Sequence, residues 1–590
     1  MILQALNDYY DRRQKSPDPQ DRLPAFGLEE KEIPFVIEID EQGNLINLVD
    51  TRRIEGKKKI AQRFLVPQGV KKTSGVAANL LWDNAEYVLG IDTKGKPERV
   101  AEQHLAFRSR LTDLKPKVQG DAGLNAIYAF YDRYHISQFE NLPSWEEVLL
   151  TNPNLTFRLQ NDVELICQRP VIVAATAQSS EASKIDGVCL VSGKPAEIER
   201  LHSSIKGVWG AQTAGANIVS FNLPAFSSYG KSQGANAPLG KPAMFAYTTA
   251  LNSLLARESR QRVQVGDAST VFWAEEEHDL ETQLPDLFGE PPKDNPDQGT
   301  DAIKALLQSV QSGKFNHGSS KTNFHVLGLA PNAARIAIRF WETAAAQELA
   351  QRIALHFEDI KIARATYDPE HLSLFRLLTS LAMQNKADNI PPNLAGEIMR
   401  SILQGTPYPA PLLTLAVQRC RAEQKPTYAR ASIIKASLNR LIRRKNLNLS
   451  LSNHVHATSL EKEFHIMLDL TNDNPPYLLG RLFATLEKIQ EEASPGLNAT
   501  IRDRYYSAAS STPVAVFTTL LRLKNHHLGK LPKGRSVQME RLITEILGGL
   551  TDFPKILTLP EQGKFALGYY HQRQAFFTKT DTPNTGEESQ

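Results

Sequence analysis

The sequence predicts an α+β protein, with a mixed α/β N-terminal domain followed by an all-α region ending in a C-terminal helical bundle. Short runs with strand-like alternation concentrate before about residue 345. Beyond it Leu, Ala, Arg and Glu recur at helical spacing and strand signals nearly vanish. The 590 residues suffice for three or four units at roughly 150 residues each. Hydrophobic residues at 41% and charged residues at 23% are ordinary for a globular chain and argue against wholesale disorder.

Residues 1–13 read as a short amphipathic helix. Phe35, Ile37 and Ile39 alternate, break at Gly43-Asn44 and resume over Leu45 to Val49, which predicts a hairpin. Residues 98–113 and 122–137 read as helices, as do 144–150 after Pro143-Ser144. Three β-like runs follow: Thr156–Leu159, Val163–Cys167 and Gly187–Val191. Residues 275–301 hold ten acidic residues, one lysine and four prolines, and predict a solvated acidic loop. Phe324–Leu329 and Arg335–Trp341 predict two strands joined by a Pro331-Asn332 turn, with Ile336, Ile338 and Phe340 on one face. On the other face Arg335, Arg339 and Trp341 are a candidate nucleic-acid contact, or Trp341 packs against a helix. Helices are predicted over 343–357, 371–384, 393–404, 411–423 and 477–492. The division expected is 1–345 as nucleic-acid recognition domain, 346–466 as helical connection and 467–590 as the bundle, with a frayed tail after about 578.

The three cysteines lie far apart, which disfavours a disulfide framework or a cysteine-rich zinc site and suits a reducing cytoplasm. The N-terminus lacks the pattern of a signal peptide, and no apolar run reaches 18 residues, so no membrane partner is expected. No catalytic motif stands out. The nearest phosphate-loop match, Gly187 to Lys194, is one residue too long and is followed by Pro195. His278-Asp279 lies in the acidic stretch without partner histidines. His526 and His527 are adjacent on a helix and point about 100° apart, poor geometry for one metal. No catalytic residue, metal or cofactor is therefore expected.

The positive signal is charge. Net charge is only +3, yet basic residues cluster in 52–72, in 425–445 and in 500–535. A fourth region, 201–242, has three lysines, six glycines and no acid. Four such regions predict local positive potential suited to a phosphate backbone, with the compensating charge segregated elsewhere. In the fourth, Ser220, Asn222, Ser228, Gln233 and Asn236 supply neutral donors and acceptors, Lys231 supplies charge, and Phe226 and Tyr229 could stack on bases. Phe221 reads as a core residue. Lys71-Lys72-Thr73-Ser74-Gly75 has the same character, suited to a phosphate or a base edge.

Several long strings carry a family resemblance: Met1-Ile2-Leu3-Gln4-Ala5-Leu6, Ser220-Phe221-Asn222 through Tyr229-Gly230-Lys231, Leu327-Gly328-Leu329-Ala330-Pro331-Asn332-Ala333-Ala334-Arg335, Asn498-Ala499-Thr500-Ile501-Arg502-Asp503-Arg504-Tyr505 and Gly568-Tyr569-Tyr570-His571-Gln572-Arg573-Gln574. In these the chain resembles the large subunit of type I-C CRISPR Cascade, across essentially its whole length. Ser507 departs from the pattern, where a smaller residue such as Gly is expected. The resemblance implies a non-catalytic subunit that recognises the PAM in double-stranded DNA, assists unwinding and R-loop formation, and stabilises the displaced strand. Implied partners are the CRISPR guide RNA, the DNA target, the Cascade backbone and handle-processing subunits, a small subunit and a helicase-nuclease. It also implies a small-subunit-like C-terminal region, with Met467 a candidate internal start for a separately made fragment. PAM or guide-handle contacts are then expected at Lys71, Lys72, Thr73, Ser74, Asn79 and the 220–236 loop. Displaced-strand phosphates are expected at Arg502, Arg504, Arg522 and Lys524. Two other readings stay open: a metal-dependent nucleic-acid enzyme with a non-local active site, and a scaffold that binds only protein.

Overall fold

Phe35-Val36-Ile37-Glu38-Ile39 is buried at four of five positions and forms an inner strand of a four-stranded sheet. The structure, a computed structural model, describes all residues except 19–20, 57, 71, 73–74, 182–184, 290–297, 313–318, 392, 452–459 and 578–590. It falls into two units. One comprises Met1, Leu3–Ser203 and Val219–Leu251, the other Ile2, Ser204–Ile218 and Asn252–Gln590.

In the first unit the strands are β1 (Leu28–Glu32), β2 (Phe35–Ile39), β3 (Leu45–Asp50), β4 (Arg53–Glu55), β5 (Lys58–Ile60), β6 (Arg63–Pro67), β7 (Trp82–Asn84), β8 (Asn154–Leu159), β9 (Gly187–Val188) and β10 (Pro195–Ala196). The main sheet has the order β3-β2-β8-β7, with β2 and β8 parallel. The expected hairpin joins β2 and β3. The Asp40 carboxylate accepts from the Asn44 backbone N–H (2.7 Å) and side-chain amide (2.8 Å). Gly43 sits at φ +79°, and a Cβ there would lie 2.3 Å from the Phe130 backbone nitrogen, so only glycine fits.

The parallel crossover carries α2 (Ala85–Leu89), α3 (Pro97–Thr112), α4 (Ala122–Asp132) and α5 (Trp145–Thr151). With α1 (Ile2–Gln14) preceding, α3, α4 and α5 are the predicted helices, α4 ending earlier than expected, and α2 is one the sequence reading did not predict. Phe107, Leu111, Ile127 and Phe130 join Phe35, Ile37 and Phe157 in this unit's core. Val163–Cys167 does not form the expected strand. Leu165, Ile166 and Cys167 are buried consecutively at a one-turn 3₁₀ helix, Ile166–Gln168, whose Gln168 side chain accepts from the Leu165 N–H (3.0 Å). The other helices are α6 (Pro170–Glu181) and α7 (Lys241–Leu254).

The second unit opens with an antiparallel meander of β11 (Arg262–Val265), β12 (Ala268–Ala274), β13 (Asn323–Asn332) and β14 (Arg335–Ala345). The last two are the predicted strands. β12 is buried at every position, so it lacks the alternation that betrays a half-exposed strand. Gly328 faces Phe340, and a Cβ on it would be 2.3 Å from the ring, so the glycine makes room for the aromatic. The pairing skips Arg339, a bulge that breaks the strand's alternation. Ile338 therefore does not share a face with Phe340: it is 44% exposed and Phe340 is 3% exposed.

The acidic stretch is not simply a loop. Its described part holds α8 (Leu280–Phe288) and the start of α9 (Gln298–Ser312). Leu280, Leu284, Leu287 and Phe288 are buried at helical spacing. Glu281 is buried with them, its carboxylate accepting from the Ala274 N–H (2.9 Å) and the Gln261 side chain (3.1 Å). The charge count masked this apolar face.

The remaining helices are α10 (Ala346–Ile360), α11 (Leu374–Leu381), α12 (Leu394–Gln404), α13 (Ala410–Ala422), α14 (Tyr428–Leu451), α15 (Pro475–Ala493), α16 (Ile501–Ala509), α17 (Pro513–Leu528), α18 (Lys533–Gly548) and α19 (Leu559–Ala575). One hydrophobic core runs from Val263 to Tyr570. α15 and α19 meet backbone to backbone. A Cβ at Gly480 would lie 2.0 Å from the Phe565 carbonyl oxygen, and one at Gly568 would lie 2.0 Å from that of Tyr477. On α19, a Cβ at Gly563 would come 3.2 Å from Ile434 of α14.

α14 is tied to α10 by charge. Asp359, 3% exposed, receives Arg440 Nε (2.7 Å) on one oxygen and an Arg443 amino group (2.9 Å) on the other. Its backbone carbonyl accepts from Lys435 (2.7 Å). Arg440 also donates to the Thr406 carbonyl (2.8 Å) and lies over the Tyr408 ring. Burial pulls the Lys435 ammonium down to about 8.

Two outcomes follow from this packing. Gly480→Ala should cost about 1–3 kcal/mol or more in a chemical-denaturation titration, whereas Gly548→Ala, with open space at its Cβ, should change little. Asp359→Asn leaves two guanidinium groups without their carboxylate and should cost about 3 kcal/mol or more, lowering the thermal midpoint measured by circular dichroism.

Candidate nucleic-acid interface

Many basic residues of the sequence clusters pair with carboxylates from elsewhere in the chain. Arg52 bridges Asp50 (2.7 Å) and Glu147 (2.5 Å) and lies over the Phe35 ring. The Arg52 hydrogen bonds hold the Glu147 carboxyl down at about 2. Lys59 reaches the same carboxylate at 3.2 Å, and Arg63 approaches Glu32 at 3.6 Å. In 425–445, Arg430 pairs with Glu423, Arg440 and Arg443 with Asp359, and Lys445 with Glu461 at 3.4 Å. That cluster is largely an internal brace. α14 is buried at every position from Arg430 to Arg440, so Arg430, Lys435 and Arg440 lie inside, where a buried cation must be paired. The compensating charge is thus interleaved with the basic residues, not segregated from them.

The residues expected at PAM or guide-handle contacts are placed differently from one another. Lys71, Thr73 and Ser74 lie outside the described residues. Lys72 binds both oxygens of Asp83 (2.7 and 2.8 Å), with its ammonium 3.7 Å from the Tyr87 ring centre. Asp83 also accepts the Asn79 backbone N–H (2.9 Å), and the Asn79 side chain accepts that of Val70 (3.0 Å). Asn79 is 6% exposed. Lys72 and Asn79 therefore fasten residues 70–83 around a buried carboxylate. The Lys72 side chain keeps 33% of its surface exposed.

The 220–236 loop is open to solvent and internally braced. A one-turn helix, Pro224–Phe226, leads to a turn in which the Lys231 N–H donates to the Ser228 carbonyl (2.9 Å). Tyr229 (φ +52°) and Gly230 (φ +69°) occupy its two central positions, the φ signs of a type I′ turn. A tyrosine there costs on the order of 1–2 kcal/mol of backbone strain. It also puts the ring at 98% exposure, and Lys231 is exposed beside it in sequence. Asn236 holds the turn. It accepts the Ser228 N–H (2.9 Å) and donates to the carbonyls of Gln233 (3.0 Å) and Lys231 (3.2 Å). A Cβ at Gly234 would lie 2.1 Å from the Glu199 carbonyl oxygen, so the loop base admits only glycine. Asn222 and Phe226 are engaged with neighbouring groups, and Ser220 and Gln233 are half-buried. The loop thus offers an aromatic face, a cation and hydroxyl groups on a fixed backbone, a set that can hold a base and a phosphate.

In the helical bundle Arg502 packs towards buried Glu487 (3.7 Å) and Asp503 (3.3 Å), and Lys524 approaches Glu540 (3.5 Å). Arg504 on α16 and Arg522 on α17 are exposed and have no ion-pair partner among the described residues. On β14, Trp341 is taken up by stacking on His325 (5.2 Å between ring centres), and Arg339 pairs with Asp267 (2.8 Å). Sequence reasoning missed the β4–β5 hairpin, where Ile54 is 78% exposed, and, within the 201–242 stretch it singled out, Trp209, which is 69% exposed. Gly56, at φ +63° beside β4, was a signal for the first.

Among the described residues no three His, Cys, Asp or Glu side chains gather to hold a metal ion, and no helix is long and apolar enough to cross a membrane. Comparison with curated proteins gives no match. The family model for CRISPR-associated protein (Cas_Csd1) matches residues 6–577. With nearly the entire chain matched, this protein belongs to the Csd1 family of CRISPR-associated proteins, the large subunit of type I-C Cascade.

Proposed function

We propose that the chain is a non-catalytic recognition subunit that reads the PAM in double-stranded DNA, assists unwinding and R-loop formation, and steadies the displaced strand before a helicase-nuclease is recruited. Family membership supports the setting, a CRISPR complex with other subunits and nucleic acid. The observation that carries the reading is the braced loop at Ser228–Lys231, which presents an exposed ring and a lysine at a strained turn. A surface that discards hydrophobic burial and spends backbone strain is better explained by a ligand than by the fold. Sequence is left to RNA pairing, and the protein needs only a short contact with the duplex.

The guide RNA, the Cascade backbone and handle-processing subunits and the small subunit are the proposed partners. A fragment starting at Met467 would leave the Gly563 side of α19 without α14, so such a small subunit needs a neighbour to cover that face.

Tyr229→Ala with Lys231→Ala should weaken binding of the assembled complex to a PAM-bearing duplex by about tenfold or more, while a target already opened into single strands binds nearly as before. Equal affinity for the duplex would remove the loop from PAM reading. Arg504→Ala with Arg522→Ala should reduce the salt slope of target binding by about 2, one for each lost phosphate contact. DNA incubated with the subunit alone and Mg²⁺ should stay intact. Cleavage would favour an enzyme.

A further inference from the structure

Residues 204–218 form a closed loop within the second unit. Ile205 and Ala216 exchange backbone hydrogen bonds (2.8 and 2.9 Å). Ile205, Val208 and Ala216 are buried and root the loop. The Lys206 N–H donates to the Asn252 side chain (2.8 Å), and the Trp209 N–H to the Ser269 hydroxyl (2.9 Å). At the far end Asn217 bridges to the start of β14. Gly207, Gly210 and Gly215 all lie at positive φ, and a Cβ at Gly207 would be 2.6 Å from the Leu255 carbonyl oxygen. The backbone on either side of Trp209 is thus fixed before any ligand arrives.

This rigid frame delivers an indole to solvent. Trp209 is 69% exposed, whereas Trp82, Trp145 and Trp273 are at most 6% exposed and Trp341 is partly buried under His325. The fold gains nothing from holding a tryptophan outward. The exposed residues near it in sequence are Lys206, Gly207, Gly210, Gln212, Thr213 and Ala214, polar or small, and the segment contains no acidic residue. A protein-binding hot spot would sit within a well-packed apolar patch. A lone flat ring with a lysine on the same loop is instead the chemistry of base stacking beside a phosphate.

We propose that Trp209 is a stacking platform for an unpaired nucleobase, with Lys206 meeting an adjoining phosphate of the same strand. The inference rests on the reading of the chain as a nucleic-acid-binding subunit and adds an unpaired-base contact, separate from the duplex contact proposed for the 220–236 loop. Its rigidity means that stacking orders little protein, so the area the ring loses to a base counts towards affinity.

The test uses the full chain and a single strand of about 12 thymidines, within the span such sites cover. Binding is followed by anisotropy of a labelled strand, and indole environment by tryptophan emission with the unlabelled strand. The strand should quench the emission and protect it from acrylamide, and both effects should vanish in Trp209→Phe. Trp209→Ala should weaken binding by about tenfold, Trp209→Phe by less, and Lys206→Ala should lower the salt slope by about one. Unchanged thermal midpoints establish that the variants fold. Undiminished affinity in Trp209→Ala with unquenched emission would overturn the proposal and leave nucleic-acid binding standing. No binding by any variant at low salt would overturn both. Protection of Trp209 by the other complex subunits, with none from the strand, would make it a protein contact and overturn the proposal.

Discussion

A buried carboxylate, Asp359, decides how the second unit can be built. Two guanidinium groups and a lysine converge on it from successive turns of α14, so α10 and α14 hold one register. The arrangement extends outward. Arg443 also binds Glu463 (2.7 Å), and Glu461 receives Lys564 of α19 (2.7 Å). A buried ion pair of this kind adds little net stability over an apolar replacement, but removing one partner is costly. Its value here is specific placement: a packing that buried the same leucines without bringing α14 to Asp359 would leave that carboxylate uncompensated.

The same physics explains how far the sequence could be read. Local signals survived folding. The Gly43-Asn44 hairpin, the strands on either side of Pro331-Asn332 and helices α10 to α13 and α15 all rest on spacing within a short window. Non-local facts did not. Arg52 meets a glutamate 95 positions away and Arg440 an aspartate 81 positions away, so a count of basic residues could not tell a brace from a binding surface. β12, buried on both faces, carries no alternation, and α8 hid its apolar stripe among acids. The Arg339 bulge inverted a face that strict alternation would have kept. Within the candidate interface the loop around Tyr229 was legible from composition. The bracing roles of Asn236, Asn79 and Lys72 were not, because each uses its polar atoms on the protein itself.

Once the paired cations are set aside, less exposed positive charge remains than the clusters in the sequence imply. The contacts proposed above are an aromatic and a lysine on one turn, an indole on a second closed loop, and Arg504 and Arg522 on the helical region. Each is held on backbone whose conformation is fixed by hydrogen bonds, by glycines that admit no side chain, or by a helix. Specific recognition gains from such rigidity, since less freedom is lost on binding.

The crossing of α15 and α19 has a mechanical meaning. Where Gly480 and Gly568 let two backbones touch, no side chain lies between them to change rotamer and absorb a displacement. α17 rests on α15 through Phe517 and Phe483, an edge-on aromatic pair. A displacement passed from α17 to α15 would therefore carry α19 with it, since the two touching backbones leave no slack between them.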